Sequence, residues 1–120
     1  MGTSRKQGSL YTRISGSLAV LEFGHPASNS LNSELLDRLC REFESLGQNP
    51  EVAAILIQSE GDRAFCAGAS FDELLEVSSP EQSATFFSGF ANLINAMRTC
   101  PRPIIARVHG KAVGGGVGLI

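Results

Sequence analysis

Two stretches of small residues have the types and spacing that predict chemistry in this sequence. One is HGKAVGGGVGL, residues 109–119, which contains three consecutive glycines at 114–116. The other is AGA, residues 67–69. Glycine has no Cβ, so a ligand can approach its backbone within hydrogen-bonding distance. Where such a loop opens a helix, unpaired N–H groups and a partial positive charge favour a negatively charged oxygen, either of a phosphate or of a reacting carbonyl.

The glycine spacing disfavours phosphate. Residues 110–115 fit the first half of the pattern G-x-x-x-x-G-K-[ST], but Gly116 and Val117 stand where it requires Lys and then Ser or Thr. The dinucleotide pattern G-x-G-x-x-G also fails, because counted from Gly114 its last glycine would fall on Leu119. A packing explanation stays open, since a glycine run can simply let a helix lie close against a sheet.

The AGA stretch favours the carbonyl alternative over packing alone. Residues 67–69 also follow a predicted buried strand and precede a predicted helical turn. Two strand ends, each followed by a loop with an accessible backbone, can direct two N–H groups at one point. Such a pair of donors forms an oxyanion hole, which stabilises the charge that develops on a carbonyl oxygen.

The elements that must position these loops begin with a hairpin and a long helix. β-Prone runs at 10–14 and 18–23 flank a short polar turn, which predicts a β-hairpin. A helix follows with Asn32 or Ser33 as its N-cap, and residues 47–50 end it. The apolar face of this helix consists of Leu35, Leu36, Leu39, Cys40, Phe43 and Leu46.

The second half of the chain predicts further strands and helices in alternation. Residues 52–57 (VAAILI) are continuously apolar, as in a strand buried on both faces of a parallel sheet. Residues 71–77 predict one or two helical turns, and the Ser-Pro-Glu-Gln stretch at 79–82 predicts the start of a second long helix. A strand is predicted at 103–108, before the helix that the glycines open. The apolar face of the second long helix is predicted to be Phe86, Phe87, Phe90, Leu93, Ile94 and Met97.

This order of elements is typical of the α/β class with right-handed crossovers. The 120 residues are 42% hydrophobic, enough for one domain with its own core. Ten Lys and Arg against twelve Asp and Glu give a net charge of −2, and no basic run exceeds Arg5 and Lys6, which disfavours nucleic-acid binding. No apolar stretch approaches the length of a membrane span. Residues 1–9 are polar and predict a disordered N-terminal segment.

The three cysteines, Cys40, Cys66 and Cys100, have neither an even count nor CxxC spacing. They predict no disulfide framework and no metal site. Free thiols that serve as small apolar residues indicate a reducing compartment, so the expected location is the cytoplasm.

From about residue 10 onward the sequence resembles the crotonase superfamily, the enoyl-CoA hydratase/isomerase family. Residues 21–31 (LEFGHPASNSL) are similar to the family's first strand and the loop that passes under the CoA. Residues 63–71 (RAFCAGASF) resemble the stretch AF-x-AG-A-D, with Ser70 at the position of the usual Asp. Residues 103–119 (PIIARVHGKAVGGGVGL) resemble the signature P-x-I-A-x-V-x-G-x-A-x-GGG-x-x-L. The resemblance implies a crotonase-like spiral of ββα units, with residues 10–120 as the N-terminal portion of the domain, truncated at Ile120.

The resemblance also implies the roles of individual residues. The backbone N–H groups of Ala69 and Gly115 would be the two oxyanion donors, which hold the thioester oxygen of an acyl-CoA while an enolate forms. Coenzyme A would be part of the substrate, with no separate cofactor and no metal. The implied substrate-binding residues are Ala27, Ser28, Ala67, Gly68, Ala69, Leu74, Gly114 and Gly115.

One departure from the family pattern affects the expected reaction. Hydratases of the family carry a catalytic glutamate two residues after the glycine triplet, where this chain has Gly118. The second acid would lie beyond Ile120. The expected function is an acyl-CoA thioester enzyme of the hydratase or isomerase type, with residues 1–120 alone inactive. The alternative is a catalytically silent homologue that binds an acyl-CoA or a protein.

The motif GGGVGL is similar to the form found in methylglutaconyl-CoA hydratases of leucine degradation. The resemblance further implies a homotrimer or a dimer of trimers for the full-length protein, with no nucleic-acid or membrane partner.

Overall fold

The computed structural model describes residues 8–120 and contains one sheet whose four strands follow one another in chain order. β1 (Ser9–Ser15) and β2 (Leu18–Gly24) form an antiparallel hairpin. β3 (Ala54–Ser59) pairs in parallel with β2, and β4 (Ile104–Ala106) pairs in parallel with β3. The predicted hairpin and parallel pairing are therefore confirmed.

Helices connect the parallel strands, because a parallel pair needs a crossover. α1 (Ser33–Gln48) joins β2 to β3. Two helices, α2 (Phe71–Glu76) and α3 (Pro80–Thr99), lie between β3 and β4. A 3₁₀ helix (Gly114–Leu119) follows β4. The observed architecture is the predicted α/β class.

Both long helices begin at the residues that the sequence predicts. The side chain of Asn32 caps α1 by accepting a hydrogen bond from the N–H of Leu35 at 2.8 Å. The hydroxyl of Ser79 caps α3 by accepting from the N–H of Gln82 at 3.1 Å, with Pro80 at the first helical position. These caps are local interactions, which is why sequence spacing alone identifies them.

The core is one cluster of buried apolar side chains from the sheet, the two long helices and the loops after the strands. It includes a contact between the rings of Phe23 and Phe65, whose centroids are 5.6 Å apart in an edge-to-face arrangement. Its members include Leu31, Phe65, Cys66, Phe86, Phe90 and Leu119.

Several predicted boundaries differ from the structure. β3 begins at Ala54 rather than at residue 52, and its residues alternate between buried and half-buried, so the prediction of two fully buried faces is wrong. β4 has only three residues where six were predicted at 103–108. Its ladder ends when the N–H of Arg107 donates to the carbonyl of Ile57 at 2.9 Å. The element that the glycines open is a 3₁₀ helix, which is narrower than the predicted α-helix.

One residue of the predicted α3 face is misplaced. The side chain of Phe87 is 47% exposed, whereas Phe86, Phe90 and Leu93 are buried. The buried residues follow helical spacing of four and three, and Phe87 stands one position off that stripe.

The N-terminal segment predicted to be disordered falls mostly on residues 1–7, which lie outside the described residues. Ser9, the last residue of that segment, is already part of β1 and is 3% exposed. Over residues 8–120, no helix combines the length and the apolar character needed to cross a membrane.

Candidate functional site

The two small-residue loops of the candidate site are hydrogen-bonded to each other. After β3, the N–H groups of Phe65 and Cys66 both donate to the carbonyl of Lys111, at 2.8 and 3.1 Å. The N–H of Val113 returns a bond to the carbonyl of Cys66 at 3.1 Å. Cys66 and Ala112 thus form a short parallel bridge. The bridge places the residues just before AGA beside the residues just before the glycine run.

Gly68 makes the direct contact between the two loops. A Cβ on Gly68 would lie 2.9 Å from the carbonyl oxygen of Val113 and 3.3 Å from the backbone nitrogen of Gly115. Both are backbone atoms, which have little room to move. Gly68 also has φ +92°, in the region that favours glycine. Any side chain at this position would push the two loops apart.

The backbone on either side of Ala69 is hydrogen-bonded to Leu31. The N–H of Leu31 donates to the carbonyl of Gly68 at 2.7 Å, and the N–H of Ser70 donates to the carbonyl of Leu31 at 2.8 Å. In such a parallel bridge the bracketed residue directs its own N–H away from its partner strand. The N–H of Ala69 makes no hydrogen bond to any described residue, so it can donate to a ligand.

The second loop has an equivalent donor. Gly114 has φ +55°, and the N–H of Gly116 turns back to the carbonyl of Val113 at 2.9 Å. Between them, the N–H of Gly115 makes no hydrogen bond to any residue in the described range 8–120. It is one of the unpaired donors that the first turn of a helix leaves.

The glycines also have a packing role. A Cβ on Gly115 would overlap Cε1 of Phe90 and lie 2.8 Å from its Cδ1. A Cβ on Gly116 would lie 2.6 Å from the carbonyl oxygen of Cys66. The packing explanation that the sequence left open therefore holds for both residues, and it coexists with a free N–H at Gly115.

Gly118 is packed differently from the triplet. A Cβ there would lie 2.8 Å from Cδ1 of Ile94 on α3, which is the mobile end of a flexible side chain.

Glu73, an acidic residue shortly after the first loop, is hydrogen-bonded to the start of α1. Its carboxylate accepts from the backbone N–H of Ser33 at 2.7 Å and from the Ser33 hydroxyl.

The remaining predicted binding residues lie in the surrounding elements. Ala27 and Ser28 are exposed in the loop between β2 and α1, where Ser28 has φ +58°. Leu74 is half-buried on α2 and packs against the core. The structure thus brings residues 67–69 and 114–115 together. Ala27 and Ser28 lie in the loop whose Leu31 bridges to Ala69, and Leu74 lies in α2, which follows the first loop.

Two titratable groups of the site have shifted pKa values. Burial raises the pKa of the Cys66 thiol above its ordinary value, although a hydrogen bond from the Gly68 backbone opposes the shift. The thiol is therefore neutral at physiological pH and adds no negative charge next to the two loops. Burial lowers the pKa of His25, with the charge of Asp72 acting in the opposite direction. Among residues 8–120, no group of three or more His, Cys, Asp or Glu side chains is arranged to hold a metal ion.

Sequence reasoning missed two residues of this region. Phe90 contacts Gly115 from α3, and Asn29 links the loop before α1 to the segment before AGA. Each acts through a contact with a residue distant in the sequence, which no local pattern reveals.

Comparison with known proteins gives one consistent group of relatives. A family model described as "Enoyl-CoA hydratase/isomerase" matches residues 13–120. A protein of Bacillus subtilis named "Probable enoyl-CoA hydratase" is 34% identical over 102 residues, which is 85% of this chain and 39% of that protein. Human mitochondrial methylglutaconyl-CoA hydratase is 37% identical over 91 residues, 76% of this chain and 26% of that protein. Human mitochondrial 3-hydroxyisobutyryl-CoA hydrolase is 33% identical over 93 residues, 76% of this chain and 24% of that protein.

Solved structures agree with these relatives. An enoyl-CoA hydratase from Polaromonas sp. JS666 superposes with a TM-score of 0.84 at 30% identity, over 92% of this chain and 44% of that one. An enoyl-CoA hydratase from Bacillus halodurans superposes with a TM-score of 0.83 over 92% of this chain and 45% of that one; at 20% identity it shows the fold alone. The chain therefore spans less than half the length of these relatives.

Proposed function

The chain belongs to the enoyl-CoA hydratase/isomerase family of the crotonase superfamily, and from that premise we propose that the whole protein acts on acyl-CoA thioesters through an oxyanion hole formed by two backbone amides. The donors are the N–H groups of Ala69 and Gly115. The observation that supports this proposal is the close approach of the two loops at Gly68, where an added Cβ would lie 3.3 Å from the nitrogen of Gly115. Each loop has an amide without a partner among the described residues.

The proposed chemistry follows from where charge develops. When a proton leaves the carbon next to the thioester, or when water adds to its double bond, negative charge moves onto the thioester oxygen. Two fixed N–H donors stabilise that oxygen more in the transition state than in the ground state. Because the donors are backbone groups held by bridges at Leu31 and Cys66, they need little reorganisation when the charge appears.

The position of Gly118 bears on the type of reaction. A two-carboxylate hydration mechanism has no side chain to use there, so a single acid/base outside residues 8–120 is the proposed proton carrier. Hydration, isomerisation and hydrolysis all pass through charge on the thioester oxygen. The named relatives include both hydratases and a hydrolase.

A silent acyl-CoA-binding or protein-binding homologue is the second candidate. The missing carboxylate at Gly118, with the tip of Ile94 in the space where a side chain would start, favours it. Turnover of an enoyl-CoA by the whole protein would exclude this candidate.

Binding and vibrational spectroscopy together test the proposal. Titration calorimetry of the whole protein with crotonyl-CoA should show binding, and the C=O stretch of the bound thioester should shift to lower frequency because two donors polarise the bond. An absence of binding at millimolar ligand would reject the proposal. Binding without a carbonyl shift would leave the silent homologue as the better explanation.

The homotrimer or dimer of trimers, the cytoplasmic location and a role in leucine degradation stay predictions. Two of the named human relatives are mitochondrial proteins, so the compartment needs a direct measurement. Sedimentation of the whole protein and localisation in its own cells would test the first two.

A further inference from the structure

Asn29 is a buried polar residue whose position the predicted site does not explain. It lies in the loop between β2 and α1 and is only 7% exposed. Its backbone has φ +58°, a left-handed conformation that asparagine tolerates better than most residues. A buried amide in a strained loop position is costly unless its hydrogen bonds are made.

The side chain of Asn29 makes three such bonds. Its Nδ2 group donates to the carbonyl of Glu60 and to the carbonyl of Ala64, each at 2.9 Å. Its Oδ1 accepts from the backbone N–H of His25 at 3.0 Å. One amide therefore ties its own loop to both ends of the 60–64 segment.

The 60–64 segment leads directly into the candidate site. Ala64 is followed by Phe65 and Cys66, whose backbones bond to residues 111–113 ahead of the glycine run. Two residues after Asn29, Leu31 makes the two backbone bonds that bracket Ala69. Asn29 thus holds the segment before the AGA stretch, and Leu31 holds the residues on either side of Ala69.

We propose that Asn29 is a positioning residue for the oxyanion loop, an inference that rests on the proposed function. Its two amide donors fix where the loop leaves β3, and this sets the direction of the Ala69 N–H. The chemistry requires asparagine, since aspartate has no donors for two carbonyls and glutamine carries its amide one carbon farther from the backbone.

Two ligands separate positioning from general stability. Butyryl-CoA has the thioester carbonyl, whereas S-butyl-CoA, a thioether, has the same CoA and a similar chain without that oxygen. The variant Asn29→Gly keeps the left-handed backbone accessible and removes all three side-chain bonds. The control Asn49→Ala also removes an asparagine bond, in which Oδ1 accepts from the N–H of Glu51 at 2.9 Å, but at the other end of β3.

The affinities of the whole protein for both ligands are measured by calorimetry, with circular dichroism to verify folding. Asn29→Gly should weaken butyryl-CoA binding by about tenfold or more and leave S-butyl-CoA binding within about twofold of wild type. Asn49→Ala should change neither affinity. The second variant, Asn29→Asp, keeps the acceptor for His25 and should show the same selective loss.

The results separate the two proposals. Equal weakening of both ligands, or no weakening of either, in a folded Asn29→Gly protein would overturn the role of Asn29 while the wild-type preference for the thioester survives. A wild-type protein that binds the two ligands equally would instead overturn the oxyanion hole itself, and the role of Asn29 with it.

Discussion

The ring of Phe90 lies directly against the Cα of Gly115, so closely that a Cβ at Gly115 would overlap Cε1 of the ring. Phe90 belongs to the buried face of α3, and Gly115 is in the first turn of the 3₁₀ helix. The ring therefore fixes how deeply this turn sits against the core. A residue that touches no proposed ligand determines where one proposed donor stands.

Replacement of Gly115 by alanine should damage both stability and activity. The added methyl group meets a ring that is only 9% exposed and cannot swing into solvent, so either the 3₁₀ turn or α3 must shift. We expect the free energy of unfolding to fall by about 1–3 kcal/mol, measured by urea denaturation. Displacement of the donor should lower kcat/KM for an enoyl-CoA by about 10²-fold.

Gly16→Ala is the matched control for Gly115→Ala. Gly16 has φ +63° in the β1–β2 turn, and a Cβ there would meet no atom within 4 Å. The control should cost about 1 kcal/mol through backbone conformation alone and leave kcat/KM unchanged. Wild-type stability in Gly115→Ala would contradict the close packing against Phe90.

Sequence patterns predicted the parts of this molecule that depend on local interactions. The caps at Asn32 and Ser79 are formed within three residues of the helix start, and the glycine run marks the second loop without any knowledge of the fold. The short β4 was not predicted, because β3 continues to Ser59 while its pairing with β4 stops at Ile57 and Ala106, and the point where two strands part is not a local property of either sequence. The exposure of Phe87 was missed, because the sequence does not show how much of the helix surface the core covers.

The partners of the glycines were also beyond local patterns. The GGG motif indicates that other atoms pack closely against this backbone. It does not show that these atoms belong to the ring of Phe90 and the carbonyl of Cys66. Asn29 reads as an ordinary loop residue in HPASNS, since its bonds to Glu60 and Ala64 span more than thirty residues of sequence. Long-range contacts of this kind need the fold.

Gly118→Glu tests whether position 118 can accept an acid. The new Cβ would lie 2.8 Å from Cδ1 of Ile94, and this methyl group can rotate away, so the cost should be about 1 kcal/mol. The same change made together with Ile94→Ala should cost less than it does alone, as a double-mutant cycle would show by urea denaturation.

The activity of Gly118→Glu bears on the proposed mechanism. If a second carboxylate is what the site lacks for hydration, the whole protein should hydrate crotonyl-CoA about tenfold faster with Glu at 118. Gly118→Gln, which has nearly the same size and no carboxylate, should give no gain. Equal rates for both variants would show that the acid at this position is not limiting.

His25 should make the loop before α1 sensitive to acid. Its Nδ1 accepts a hydrogen bond from the N–H of Ala27 at 3.0 Å, which only the neutral ring can do. Burial lowers the pKa of His25 below its ordinary value of 6.5, against a smaller opposing effect of Asp72. The stability that depends on the neutral ring is therefore present above pH 6.5 and is lost as the pH falls through the lowered pKa.

The titration of His25 can be followed directly by NMR. Its imidazole resonance should titrate below the ordinary value, and Asn29 and Ala27 amide resonances should shift with the same midpoint. His25→Asn, which also offers a side-chain acceptor, should remove the part of the pH dependence of unfolding that this ring causes. A His25 titration at or above 6.5 would contradict this account.

Cys66 should be the least reactive of the three thiols. The contribution of its protonated thiol to stability should be lost at alkaline pH. It is fully buried, whereas Cys40 and Cys100 are half-buried. Burial raises its pKa above 9.0, so the stability linked to the protonated thiol is complete below that pH and is lost as the pH rises through the raised pKa.

Iodoacetamide at pH 8, followed by mass spectrometry, should modify Cys40 and Cys100 well before Cys66. Cys66→Ala should flatten the decline in unfolding free energy above pH 9. Early alkylation of Cys66 in the folded protein would contradict the burial of its thiol.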